Sequence, residues 1–208
     1  MSRRAIVVTG TDTDVGKTVF AAALAGALGA SYWKPIQAGL EDGSDTQRVA
    51  ALGGLPPSAI LPEAYRLTTP CSPHRAAQID GVTIDPARLQ LPKNNDRVVV
   101  EGAGGALVPI TRDLLFADMF AHWGAPVVIV ARTALGTINH TLLTIEALRR
   151  RSVPILGVAF IGEPQEDSEA TIAAIGEVRC LGRLPLLDPL TPASLASAFA
   201  ANFSMADF

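Results

Sequence analysis

The sequence predicts an α/β fold: a doubly wound, mostly parallel sheet with helices on both faces. Short aliphatic runs recur along the chain without alternating polar and apolar residues, Gly or Pro bounds each of them, and helical patterns lie between them. A strand that does not alternate is buried on both faces, as a parallel strand covered by helices is. Strand and helix in succession then imply right-handed crossovers.

The runs are Ala5–Val8, Val98–Val100, Val127–Val130 and Ile155–Ile161, and Ser31–Pro35 is a further strand-like run. Helices are predicted over Lys17–Leu28, rich in Ala and Leu, and over Leu114–His122 and Ile138–Arg150, where apolar residues keep helical spacing. Another should open at Ser44-Asp45. A last one spans Pro192–Ala201, with Thr191 as N-cap and Pro in the first helical position. Between Gly53 and Pro92 stand seven prolines and few periodic segments. That stretch reads as a loop-rich excursion with one or two short helices, such as Pro86–Leu91, serving as a lid or a partner-facing surface. No repeat or low-complexity linker divides the chain, so a single domain over 1–208 is expected.

Composition narrows the function. The 208 residues suffice for a sizeable core, and 49% hydrophobic with only 5% aromatic residues suits aliphatic strands and small-residue helices. A net charge of -3 offers no basic face for nucleic acid. The run Arg149-Arg150-Arg151 falls where a helix ends and matches its dipole. Cys71 and Cys180 form neither a CxxC motif nor a disulfide framework, and both are expected reduced and at least half-buried. The basic start Met1–Arg4 precedes an apolar run too short for a signal peptide, and no run approaches a membrane span. A soluble, cytoplasmic protein is expected, with no membrane or nucleic-acid partner.

The strongest chemical signal is Gly10-Thr-Asp-Thr-Asp-Val-Gly-Lys-Thr18, directly after a strand and before a helix. Glycines admit a phosphate to the backbone N–H groups, and the helix N-terminus points at it. Lys17 supplies a point charge, and the Thr18 hydroxyl is a Mg²⁺ ligand type. The spacing departs from the common GxxxxGK[ST] form, since Thr11 stands at the first glycine position and Gly10 lies one residue earlier. Two carboxylates in this loop, Asp12 and Asp14, would repel a triphosphate. Either they face solvent near the helix start, or Asp14 holds a substrate amine; charge alone does not decide.

Glu101 follows Val98–Val100 and precedes a glycine-rich stretch, which is where a metal-organising carboxylate belongs next to a phosphate strand. Lys34, at the end of the Ser31–Pro35 run, is placed to neutralise charge in phosphoryl transfer, although a lone lysine is more often a surface group. Asp45, taken alone, is an ordinary acid at a helix start. Leu135-Gly-Thr-Ile-Asn-His140 introduces a helix whose free N–H groups suit an anion. His74 and His140 read as structural hydrogen-bonders.

Together these pieces resemble the dethiobiotin synthetase family from Val7 to about Pro185. The matching stretches are Thr9–Thr18, Lys34-Pro35 with Gly39, Ser44-Asp45, Ser72-Pro73-His74 and Val100–Gly105. Phe116-Ala-Asp118, Leu135–His140 and Leu181-Gly182 before Pro185 complete the set. The resemblance implies a phosphate-loop NTPase fold and ATP-dependent formation of dethiobiotin from 7,8-diaminopelargonate and CO₂, with Mg²⁺, in a homodimer. It implies Lys17 and Lys34 as the catalytic cations, and Thr18, Asp45 and Glu101 as metal ligands. Nucleotide contacts would come from Asp14, Val15, Gly16, Lys17, Thr18, Val19, Asp45, Glu101, Gly102, Ala103, Gly104 and Pro185. The diamine would meet Thr13, Asp14 and Ala38, and its carboxylate the backbone at Thr137, Ile138 and Asn139.

The chain departs from the family in places. Asp14 is one methylene shorter than the Glu of some members, and Ala38 replaces a frequent Ser or Thr. Ile161 stands where members often carry an adenine-reading Asn, which predicts loose base discrimination. No Tyr lies between Glu166 and Gly176. The amide-forming synthetases that carry a glutamine-hydrolysing domain are a poorer match. So are the partitioning-type switch ATPases, which have an extra lysine early in the loop; Gly10 to Val15 contains none.

Overall fold

The computed structural model describes residues 5–41, 43–93 and 97–208, so the basic start Met1–Arg4 lies outside the described residues. Nine strands are described: β1 (Ala5–Gly10), β2 (Ser31–Trp33), β3 (Ile36–Ala38), β4 (Ile60–Leu61), β5 (Tyr65–Leu67), β6 (Val98–Gly105), β7 (Val127–Arg132), β8 (Ile155–Ile161) and β9 (Cys180–Leu184). Seven of them form one sheet in the order β4-β2-β6-β1-β7-β8-β9, while β3 and β5 pair separately. Every pairing between these strands is parallel. The doubly wound expectation holds.

Seven α-helices are described, six between strands and the last after β9: α1 (Lys17–Leu28), α2 (Asp45–Gly53), α3 (Pro73–Asp80), α4 (Phe116–Trp123), α5 (Thr137–Arg149), α6 (Glu166–Gly176) and α7 (Pro192–Asn202). Successive side chains of a strand point to opposite faces. Ile6 and Val8 of β1 therefore pack with Phe20 and Leu24 of α1, Val49 of α2 and Phe199 of α7. Val7 packs with Phe120 of α4, Ile145 and Leu148 of α5, and Ile172 of α6. Helices thus cover both faces, and the aliphatic strands lie in the middle.

Helices α1 and α2 approach each other closely. A Cβ on Gly26 of α1 would lie 2.7 Å from the Gly53 carbonyl oxygen, and one on Gly53 equally 2.7 Å from that of Ala22. The two helices touch backbone to backbone there. At the opposite ends of the same two helices, Asp45 of α2 stands beside Thr18 of α1, with 3.1 Å between Asp45 Oδ1 and Thr18 Oγ1. Ser44 caps α2 in a capping box with Gln47, and Thr191 caps α7 as its sequence predicts.

Several expectations need correction. The excursion from Gly53 to Pro92 is more regular than its prolines suggest. It contributes β4 to the edge of the main sheet, β5 to the pair with β3, and α3; Pro86–Leu91 shortens to a 3₁₀ turn at Pro86–Arg88. A two-residue strand such as β4 is too short to leave a pattern. Strand β6 runs through Glu101 to Gly105, with a register shift against β1 between Val8 and Gly10. Helix α4 begins at Phe116, because the Leu114 carbonyl already accepts from the N–H groups of Ile110 and Thr111 in a turn. Both cysteines are exposed, not buried. Cys71 sits in the turn before α3, and Cys180 opens the edge strand β9.

Candidate active site

The glycine loop joins β1 to α1. Gly10 is required by close approach: a Cβ there would meet the Asp12 carbonyl oxygen at 2.8 Å and Lys17 Cδ at 3.0 Å. Gly16 adopts φ 95°, in the left-handed region that favours glycine, and presents the first turn of α1. Lys17 Nζ folds back and donates to the Asp12 carbonyl oxygen at 2.8 Å. Burial, followed by the nearby Lys34 charge, pushes the Lys17 ammonium down to about 8, against the pull of Glu101, Asp45 and Asp14.

Four further side chains converge beside this loop. Lys34 follows β2, Glu101 lies on the neighbouring β6 opposite Val8 of β1, and Asp45 and Thr18 open their helices. Lys34 Nζ is 2.7 Å from Asp45 Oδ2 and 2.9 Å from Glu101 Oε1. Its third hydrogen bond goes to the Gly102 carbonyl oxygen at 3.1 Å. Thr18 Oγ1 lies 3.1 Å from Asp45 Oδ1 and 2.9 Å from Glu101 Oε1. Tyr32 donates its hydroxyl proton to Glu101 Oε2 at 2.9 Å. Gln37 Oε1 accepts from the Asp45 backbone N–H at 3.0 Å and ties α2 to β3.

Charge and burial explain the behaviour of this cluster. Burial alone works against the Lys34 charge, but the Glu101 and Asp45 carboxylates outweigh it and hold its pKa above the usual lysine value. For Asp45, burial likewise opposes ionisation, and Lys34 outweighs it, so the carboxyl is held below the usual range. Burial and then Glu101 push the Tyr32 hydroxyl well above its ordinary value, which keeps it a donor. Glu101 is 1% exposed and Lys34 is 3% exposed. Removing either partner alone strands a buried charge, at a cost of about 3–5 kcal/mol.

The donor set suits a hard divalent cation. Thr18 has one hydroxyl proton for two anionic oxygens, so one of its two short O···O contacts holds no proton, although Lys34 also donates to Glu101 Oε1. One or two carboxylates and a hydroxyl, with phosphate oxygens completing the shell, match the ligands that Mg²⁺ takes.

The structure places the other predicted residues as follows. Val15 is buried, while Thr13 and Asp14 are exposed on the loop, Asp14 at φ 56°. Asp12 pairs with Arg132 at 3.7 Å, on the solvent side. Gly104, at φ 62°, lies against Thr13: a Cβ there would be 3.4 Å from Thr13 Oγ1. This brings Ala103 and Gly104 over the loop. Val19 is half-buried in the first turn of α1, Ala38 ends β3, and Pro185 follows β9. Ile161, at the end of β8, covers Gly16, whose added Cβ would meet it at 3.1 Å. Thr137, Ile138 and Asn139 open α5 as a separate element; Thr137 is buried, and its Oγ1 has no hydrogen-bond partner. His74 Nδ1 lies 3.1 Å from Ser72 Oγ, a structural contact.

Sequence reasoning missed Tyr32 and Gln37. A signal for Tyr32 was present: in an extended run, residues two apart share a side, which puts Tyr32 with Lys34. Gln37 left none.

A strand, a glycine loop and a helix, with a buried lysine and a Thr–Asp–Glu cluster beside it, define a phosphate-loop nucleotide-binding protein. A family model described as an AAA domain matches residues 4–194. The ATP-dependent dethiobiotin synthetase BioD of Rhizorhabdus wittichii is 68% identical, over 99% of this chain and 98% of that protein. The protein of the same description from Novosphingobium aromaticivorans is 67% identical over 98% of each chain, and one from Rhodopseudomonas palustris is 63% identical over 98% and 97%. The chain belongs to the dethiobiotin synthetase family. Among solved structures, a ParA family ATPase from Chlorobium tepidum aligns with TM-score 0.58 at 14% identity, covering 96% of this chain and 93% of that one. The cell division ATPase MinD of Pyrococcus furiosus aligns with TM-score 0.54 at 15% identity, over 95% of each. These two likenesses concern the fold alone.

Proposed function

We propose that this chain is an ATP-dependent cyclo-ligase that converts 7,8-diaminopelargonate and CO₂ to dethiobiotin, releasing ADP and phosphate, in biotin synthesis. One substrate amine adds to CO₂ and loses a proton, giving a carbamate. A carbamate oxygen attacks the γ-phosphorus, and the bond to ADP breaks. The second amine then attacks the carbamoyl carbon, expelling phosphate and a proton as the ureido ring closes. The observation that carries this reading is Lys34 seated on the Asp45 and Glu101 carboxylates beside the phosphate loop, within whose electrostatic reach Lys17 also lies. Carbamate and γ-phosphate are both anions, and bringing them together needs cations on both sides.

Lys17 would hold the terminal phosphates, and Lys34 the charge developing between phosphate and carbamate. Thr18, Asp45 and Glu101 would hold Mg²⁺, which supplies charge neutralisation on the phosphate oxygens. Backbone N–H groups from Asp14 to Val19 would surround the phosphates, with Gly102, Ala103, Gly104 and Pro185 bordering the nucleotide. Thr13, Asp14 and Ala38 would face the diamine. The free N–H groups of Thr137, Ile138 and Asn139 would take the substrate carboxylate across an interface with a second copy. Leu135, fully exposed just ahead of α5, supports that homodimer, since it offers an apolar contact at the helix head. No helix among the described residues is long and apolar enough to cross a membrane. We place the enzyme, as one catalytic unit over the whole chain, in the cytoplasm.

The test is ADP release with and without 7,8-diaminopelargonate plus bicarbonate. Strict dependence on both is expected. Turnover that responds instead to a protein or DNA partner would replace this reading with a partitioning-type switch.

A further inference from the structure

The Lys34 ammonium has three protons, and all three are bonded inside the chain, to Asp45 Oδ2, Glu101 Oε1 and the Gly102 carbonyl oxygen. In this arrangement it has nothing left to donate to a substrate. Its two anionic partners are also the carboxylates that share the Thr18 hydroxyl, and Glu101 Oε1 serves Lys34 and Thr18 at once. A monovalent ammonium thus occupies the oxygens that suit a divalent ion. We infer that Lys34 is an internal stand-in for that ion: it holds Asp45 and Glu101 together beforehand and gives them up when the ion takes them, so that ion loading frees Lys34 for the substrate. This inference rests on the metal role proposed for these carboxylates.

The surroundings support an exchange of partners. Glu101 is buried and Asp45 half-buried, so with no cation between them the two carboxylates repel, and a positive group beside them is favoured. Both acids keep an anchor that does not involve Lys34. Tyr32 holds Glu101 through the other oxygen, Oε2, and Gln37 holds the Asp45 backbone N–H. The oxygens can therefore stay in place while their cation changes. The Gly102 carbonyl is uncharged, so a divalent ion competes for it less than for the acids, and Lys34 keeps one bond near the loop while it turns. The pocket also changes sign. With Lys34 seated, the two acids and the two lysines balance. With a divalent ion added, the pocket is positive and receives a triphosphate.

The chain has three lysines, Lys17, Lys34 and Lys93, which makes the exchange directly measurable. Trace acetylation with acetic anhydride, read by mass spectrometry, reports the availability of each amine, and the exposed Lys93 serves as internal reference. Mn²⁺ binding is followed in parallel by electron paramagnetic resonance, with and without ADP. Binding should be weakened in Glu101→Gln and, as a second variant, in Asp45→Asn. Over the same Mn²⁺ range, Lys34 labelling relative to Lys93 should rise several-fold in the unaltered protein. Carboxylate-dependent Mn²⁺ binding with flat Lys34 labelling would overturn the exchange and leave the metal assignment standing. Mn²⁺ binding that neither variant weakens, or no binding at all, would remove the metal assignment and the exchange with it.

Discussion

Tyr32→Phe isolates one hydrogen bond. Tyr32 is 0% exposed and donates to Glu101 Oε2, itself on a residue that is 1% exposed. Phenylalanine fills nearly the same space, so packing is kept and only the hydroxyl is lost. Water has no route to replace the donor, and one oxygen of a buried carboxylate is left without it. Hydrogen bonds to charged groups contribute about 1.5–3 kcal/mol, and leaving such an acceptor unmatched falls in the same range. For a chain of this size, about 2 kcal/mol corresponds to roughly 4–8 °C in Tm. Scanning calorimetry and urea unfolding of both proteins at neutral pH measure the difference. A second readout separates positioning from mere stability: Mn²⁺ affinity should fall, because Glu101 is held by one anchor fewer. A Tm unchanged within about 1 °C would refute the claim that Tyr32 supports the carboxylate.

Lys17→Ala should lower turnover by about a hundredfold or more, since it removes the charge at the terminal phosphates; ADP release measures it, and near-normal rates would contradict the phosphate-loop assignment. GTP or CTP should compete with ATP, because the side chain covering Gly16 from β8 is Ile161, which has no hydrogen-bonding group to read a base. Strict ATP selection in a competition assay would show that other groups do the reading. Asp118 accepts from the Leu115 N–H and pairs with Arg151 at 2.6 Å. Burial works against its charge, but these partners outweigh it and hold the carboxyl below its ordinary 3.8. A carboxylate with a depressed folded-state pKa stabilises the fold above its unfolded value and loses that contribution as pH falls through the folded value. Asp118→Asn should therefore unfold at lower urea than the unaltered protein above about pH 5, and the gap should close as pH falls below the ordinary carboxylate value. A gap independent of pH would point to packing instead.

The parts of this molecule differ in how far they could be read without coordinates. The phosphate loop is contiguous in sequence, and its strand, glycines, lysine and helix each need the others nearby, so it is legible at once. The sheet is legible for a similar reason: Val127–Val130 and Ile155–Ile161 are buried on both faces and show it. Lys34, Asp45 and Glu101 are different. Each taken alone has an ordinary surface or helix-start reading, and only the strand order brings them together. Nothing local records that β6 lies beside both β1 and β2, so Lys34 and Asp45 needed the family resemblance to be singled out, while Glu101 is marked by its place at the end of an aliphatic run before glycines. The excursion from Gly53 to Pro92 misled because most of its elements are only two or three residues long, and its one longer helix, α3, opens on a proline. The cysteines misled because average burial says little about a residue in a turn or at the start of an edge strand.

The strand order also bears on when the enzyme becomes competent during its own synthesis. Strand β6 slots between β1 and β2, which precede it by some 90 and 65 residues in the chain. A growing chain displays its phosphate loop long before Glu101 has been made. Until that insertion is complete, Lys34 and Thr18 lack the Glu101 carboxylate that both bond in the finished fold.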